Sequence, residues 1–178
     1  MIANPVVNAE AVTGRPQTAC VDMWRTTGFV AAISDVIAPH VYDYGELTET
    51  TVAVTLYDVR RHVLIEDGKV RRDGRVQAGQ FRIGQPGKRF WVDAVPDVDL
   101  GKLLLIYLGR PLLAEVGTAL GRSRPIELLD RVWDVDDPFL ATSAHHLVEA
   151  SELASMGSGL LAEQMAYTLA LHLSHRYA

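Results

Sequence analysis

Hydrophobic and polar positions alternate through the middle of the chain and recur every three to four residues through its last third. Thr50 to Tyr57, TTVAVTLY, is rich in β-branched residues and alternates, and Arg61 to Glu66, RHVLIE, comes almost at once after it. Asp67-Gly68 turns the chain into Lys69 to Arg72, which completes an antiparallel meander. From Arg71 to Trp91, the residues Val76, Phe81, Ile83, Phe90 and Trp91 alternate with polar or small ones between the turn signals Asp73-Gly74 and Pro86-Gly87. Lys102 to Tyr107, KLLLIY, adds an apolar run that suits a buried strand. At least five strands separated by tight turns predict an all-β sandwich or barrel that ends near Leu108. Trp24 to Ile37 carries a mixed pattern that fits either a strand or a short helix, and Pro39-His40 breaks it.

At Arg110-Pro111 the period changes. A proline at a first helical position, then Leu112, Leu113, Val116 and Leu120 on one face and Gly121 at the end, predict a short amphipathic helix. Ile126 to Val135 is an apolar cluster with no clear period. Asp136 and Asp137 ahead of Pro138 supply N-cap chemistry for a second helix, which turns Phe139, Leu140, Ala144, Leu147 and Val148 inward and ends near Gly157 and Gly159. The last helix, Leu160 to Tyr177, repeats Leu161, Met165, Leu169 and Leu173 every four residues. That stripe is too long to stand exposed. It packs on the preceding helix or across a dimer axis, and the pattern allows both. Residues up to about Ala19, with Asn4-Pro5, Gly14 and Arg15-Pro16, read as a mobile or loosely docked arm.

The chain has 178 residues, 48% hydrophobic and 22% charged, which is an ordinary globular profile for one domain. Its net charge of −5 argues against gripping a nucleic-acid phosphate backbone unaided. Cys20 stands alone, so no disulfide forms within one chain, and a reducing, cytoplasmic compartment is expected. The N-terminus MIANPVVNAEAV lacks a basic region followed by an apolar run, and Leu103 to Leu108 is too short to span a bilayer, so no membrane association is expected.

The order of these pieces resembles the N-terminal region of AraC/XylS-family transcription regulators. The resemblance rests on RRHVLIEDGKV within the meander, KLLLIYLGRPLLAEVG passing from strand into helix, DDPFL at a helix start, and the closing MAYTLALHL, and it covers roughly Val52 to Tyr177. The spacing from Gly79 to Pro86-Gly87, with aromatic residues just after, is similar to half of the motif by which cupins build a central pocket. The resemblance implies an α+β fold: a flexible arm over residues 1–19, a cupin-like antiparallel β-barrel (a double-stranded sheet) over 20–108 that binds a small-molecule effector, and a C-terminal helical dimerisation region over 109–178. It also implies a homodimer, with Leu161, Met165, Leu169 and Leu173 at the interface, and contact with DNA only through a C-terminal helix-turn-helix domain that would begin beyond Ala178.

A metal-binding cupin needs a His-x-His pair, a nearby carboxylate and a further histidine past the Pro-Gly turn, because a divalent metal takes three or four converging ligands. Here His62 stands alone, Glu66 comes four residues later, and Lys88, Arg89, Phe90 and Trp91 come after the turn. No metal or other cofactor is expected. His145 and His146 are adjacent on a helix and so point about 100° apart; His172 and His175 lie near a helix end, where cations are commonly structural. Cys20 has no evident base, no G-x-S-x-G elbow exists, and GSG at Gly157 to Gly159 lacks the Lys and Ser/Thr of a phosphate loop. No catalytic residue and no enzymatic activity are therefore expected. The rival readings are a small cupin enzyme, an isomerase or dioxygenase, and a ligand-free structural dimerisation module. Tyr57, His62, Arg82 and Trp91 are the candidate ligand-binding residues. If Phe81 and Ile83 pack outward, Arg82 and Gly84 face the pocket; the opposite phase fits the pattern equally. An inward Arg82 favours an anionic or carbonyl-bearing effector.

Overall fold

A computed structural model of the chain describes residues 21–26, 28–37, 40–98, 100–153 and 158–178. The arm expected over residues 1–19 lies outside the described residues. Among the described residues nine strands precede the helices, β1 (Val21–Thr26), β2 (Phe29–Ile37), β3 (His40–Glu46), β4 (Thr50–Thr55), β5 (Val59–Glu66), β6 (Lys69–Val76), β7 (Gln80–Gly84), β8 (Arg89–Pro96) and β9 (Leu100–Leu108), and the two-residue β10 (Val135–Asp136) lies between the first two helices. The helices are α1 (Arg110–Ala119), α2 (Pro138–Leu153) and α3 (Ser158–Tyr177).

The strands form two antiparallel sheets, one of six in the order β1-β2-β9-β4-β7-β10 and one of four in the order β3-β8-β5-β6. Among the described residues no strand pairs across from one sheet to the other. The described strands thus form two facing sheets, and closure of the barrel that the resemblance implies is not seen among them. At one edge of the larger sheet α3 lies against β1, and at the other β10 ends after two residues. The fold is a mainly antiparallel, cupin-like α+β arrangement.

Burial explains the two kinds of strand pattern. The larger sheet is covered on both faces, by the smaller sheet and by the helices, so β4 is buried at every position and Leu103 to Leu108 of β9 form an unbroken apolar run. The smaller sheet is covered on one face, so β8 alternates: Phe90, Val92 and Ala94 point inward while Arg89 is exposed. One core lies between the sheets, with Ala53, Leu64, Phe90, Val92, Leu103 and Leu105. The other joins the outer face of the larger sheet to all three helices, with Phe81, Ile83, Leu104, Ile106, Leu113, Leu140, Leu169 and Leu173.

Local chemistry sets the turns. Asp67 and Gly68 both take positive φ, +48° and +74°, as a tight hairpin turn with right-handed twist demands. Pro86-Gly87 closes with the Lys88 N–H donating to the Gln85 carbonyl at 3.3 Å and Gly87 at φ +77°. Asp73-Gly74, read as a turn in the sequence, lies inside β6 instead. Gly74 pairs with His62 because β5 continues to offer ladder partners, and the Arg72 guanidinium covers the glycine. The undecided stretch Trp24 to Ile37 forms two strands, with Trp24 opposite Ala31.

Candidate functional site

The two sheets leave a cavity between them. Thr51 and Ala53 of β4, Arg82 and Gly84 of β7, and Leu105 of β9 form one wall; Leu64 of β5 with Phe90 and Val92 of β8 form the facing one. Tyr44 and Leu47 stand at one side, and Trp133 closes the other from the segment between α1 and β10. The empty space is about 360 Å³ counted to its solvent-open mouth, of which about 30 Å³ admits the centre of a water molecule. The enclosed part is well below the size of a formed ligand pocket, so a ligand larger than water needs the wall side chains to move. Gly84 is part of the reason the space exists, since a Cβ there would sit 2.6 Å from Leu47 Cδ1 and 3.2 Å from Phe90 Cε2.

Strand register decides the phase that the sequence leaves open. Ala53 lies opposite Arg82 and Thr51 opposite Gly84, so these four share the cavity face, while Phe81 and Ile83 point into the helical core. Arg82 is 7% exposed and is the one charged residue in the lining, and its side chain makes no hydrogen bond or ion pair with any described residue.

The other three candidates are placed differently. Tyr57 is buried between the sheets, packed over Gly101, where an added Cβ would come within 2.5 Å of its ring, and it does not line the cavity. His62 is buried on β5 opposite Ala94, also away from the cavity. Trp91 falls on the outer phase of β8, between inward Phe90 and Val92, so it faces away from the space. The aromatic wall comes from Phe90, one residue earlier, and from Trp133, whose ring centroid lies 6.0 Å from that of Phe90. The alternation of β8 carries the signal for Phe90; Trp133 belongs to the stretch without a period.

The next four residues hold Trp133 in place. Asp134 takes a left-handed conformation, φ +49°, and its carboxylate, 2% exposed, accepts a 2.9 Å hydrogen bond from Arg72 Nε of β6. Val135 and Asp136 then pair with Phe81 and Gln80 of β7. Asp137 caps α2: its Oδ1 accepts from the Phe139 and Leu140 N–H groups at 3.0 and 3.1 Å. Its Oδ2 lies 2.8 Å from His172 Nε2 and accepts from the Tyr177 hydroxyl at 2.8 Å, both on α3, with Arg176 Nε at 3.7 Å. Burial pushes this carboxyl up, but the hydrogen bonds from His172, Tyr177 and the Leu140 N–H outweigh it and hold the pKa below the ordinary value. Burial, and then the bond to Asp137, push the Tyr177 hydroxyl up. The Tyr177 ring in turn meets Phe81 edge-on at 5.3 Å. A strap of five residues thus runs from the cavity wall to the C-terminal helix.

The candidate interface residues divide. Leu169 and Leu173 are fully buried in the chain's own helical core, because the stripe that repeats every four residues faces the larger sheet; Leu161 is exposed and Met165 half-buried. Among the described residues no three His, Cys, Asp or Glu side chains converge as metal ligands would. Glu66 pairs with Arg71 at 2.8 Å, His146 lies 3.5 Å from Glu149, and His172 is engaged by Asp137. Nor is any described helix long and apolar enough to cross a membrane.

No family model matches the sequence, and no curated protein does. Solved structures do. Apo ToxT K231A from Vibrio cholerae matches at 10% identity with a TM-score of 0.57, over 85% of this chain and 55% of ToxT, so the chain spans about half its length. A cupin 2 conserved barrel domain protein from Salinispora arenicola matches at 17% identity and a TM-score of 0.37, over 52% of this chain and 72% of that one. The DMSP lyase DddQ from Ruegeria pomeroyi matches at 12% identity and a TM-score of 0.43, over 52% of this chain and 47% of the enzyme. With enzymes standing among the structures of this kind, the expectation that the chain has no enzymatic activity is withdrawn. The likeness to ToxT is one of fold, across most of this chain.

Proposed function

We propose that the chain senses a small-molecule effector between its sheets and passes occupancy to its helices, as the regulatory part of a transcription regulator of the AraC/XylS kind. The order of its sequence elements supports this reading, as does the likeness in fold to ToxT, an AraC-family regulator, across most of the chain. The observation that carries it is Trp133. This side chain completes the cavity wall, and four residues later Asp137 is bonded to His172 and Tyr177 of α3. An effector with different affinity for two positions of this strap shifts the population between them, and one without such a difference shifts nothing.

On this reading DNA is contacted through a helix-turn-helix part and the sensing part works as a homodimer. The outer face of α3, where Leu161 is exposed and Met165 half-buried, is the proposed seam. The test is a thermal-shift screen of the chain against charged and neutral small molecules, with hydrogen exchange measured on each hit. A true effector raises the melting temperature by mass action and changes exchange at residues 132–137 and in α3. A ligand that protects the cavity walls alone removes the transmission, and a screen without any ligand removes the sensing.

A further inference from the structure

Resting on that reading of the cavity, we infer that its effector is a small monocarboxylate with an apolar body, bound through Arg82. The residue is 7% exposed, lies on the cavity face of β7 and has no side-chain partner among the described residues, and its guanidinium keeps some contact with water. A buried charge without a counter-charge is costly, and folded proteins ordinarily pair it. Elsewhere this chain does so: Asp134 takes Arg72, and Glu66 takes Arg71. At Arg82 the missing partner is a ligand, and the planar fork of donors matches the two oxygens of a carboxylate.

The rest of the wall narrows the class. Leu64, Phe90, Val92, Leu105 and Trp133 give an apolar and aromatic surface that suits a hydrocarbon or ring. A second negative charge would find no cation there, so a phosphomonoester or dicarboxylate fits poorly. A sugar would bring hydroxyls that such a wall leaves unpaired. A metal cation would meet the positive guanidinium. The enclosed space of about 30 Å³ admits even a short branched chain or a single ring only when the wall side chains shift, which disfavours anything larger.

Three acids test this, 4-methylvalerate, cyclohexanecarboxylate and phenylacetate, each against its primary amide, with phenylphosphonate as a dianion. Binding is read by thermal shift and by titration calorimetry. The acids are expected to raise the melting temperature, and the amides and the phosphonate are expected to bind at least about 10-fold more weakly, the factor that one charge-assisted bond supplies. Arg82→Met, which keeps the length and removes the charge, is expected to abolish the difference between acid and amide. It should also leave the unliganded chain about as stable as before, because the guanidinium has no bond to a described residue to give up. A large loss of stability in Arg82→Met would make the guanidinium a structural element and overturn the inference. Amides that bind as well as acids, or three silent acids, would overturn the carboxylate class. Neutral ligands found by the wider screen would then leave the sensing reading standing, whereas silence there as well would end both.

Discussion

Replacing Asp137 by alanine removes more than a helix cap. Loss of the two bonds to the Phe139 and Leu140 N–H groups costs about 1 kcal/mol, the usual figure for an N-cap. The Tyr177 hydroxyl, on a residue 8% exposed, loses a charge-assisted bond worth about 1.5–3 kcal/mol and is left without that acceptor. His172, whose side chain is 22% exposed, can turn to water and adds about 0.5–1 kcal/mol. Asp137→Ala is therefore expected to destabilise by about 3–5 kcal/mol, at the upper end for a single substitution. Asp137→Asn keeps a capping oxygen and gives up the charge, so about 1–2 kcal/mol is expected. Urea denaturation at pH 7 followed by far-UV circular dichroism measures both. Tyr177→Phe closes a double-mutant cycle, in which the Asp137–Tyr177 coupling should be about 1–2 kcal/mol. An Asp137→Ala cost near 1 kcal/mol, with no coupling, would show a cap alone and refute the link between α2 and α3.

Acid and alkali act on the same cluster. The carboxyls of Asp137 and of Asp43, the latter bonded by Arg89, are held below their ordinary values in the folded chain, so their stabilisation is present above about pH 4 and is lost as pH falls through the lowered values. The raised Tyr177 contributes fully below about pH 10 and loses its contribution as pH climbs through the raised value. Urea midpoints between pH 2.5 and 11 should show both limbs, and an acid limb undiminished in Asp137→Asn would assign the loss elsewhere. Gly101→Ala drives a Cβ to 2.5 Å from the Tyr57 ring and should cost about 1–3 kcal/mol by denaturation. The double variant with Tyr57→Leu should recover most of that, and no recovery would mean that strand strain rather than the ring sets the cost. Leu169→Ala should cost about 2–5 kcal/mol, because the side chain is fully buried within the chain. Leu161→Glu should change stability by less than about 0.5 kcal/mol, yet weaken any dimer in sedimentation. An unaltered dimer would place the seam away from α3.

Strands with one covered face were the readable part of this fold, and the residues show why. β8 alternates because one side meets solvent, and the Asp67-Gly68 and Pro86-Gly87 turns need the backbone angles their residues favour. β2 was ambiguous because Phe29, Val30, Ala31 and Ala32 are buried in succession, which erases the period of two. Gly74 misled because a glycine under an arginine side chain looks like a turn when its neighbours in space are unknown. The stripe of Leu161, Met165, Leu169 and Leu173 was visible, but an apolar stripe does not say whether it meets its own chain or another. At the site, Arg82 was legible as a residue and not as a direction, since its phase depends on pairing with Ala53. Trp133 was not legible. Its segment has no period and is held by distant partners, the Ile83 N–H on the Val132 carbonyl at 3.0 Å and the Leu129 N–H on the Tyr177 carbonyl at 2.7 Å.

β7 is walled on both sides from Phe81 to Gly84, with no position turned to water. A slip of one residue would exchange its faces, bringing Phe81 and Ile83 between the sheets and sending the Arg82 charge into a helical core with nothing to neutralise it. The folding free energy of the whole chain therefore fixes which face of β7 carries Arg82. Its face is settled during folding, so the proposed anion would meet a guanidinium already on the cavity side, and its binding would have to order that side chain and move the neighbouring ones.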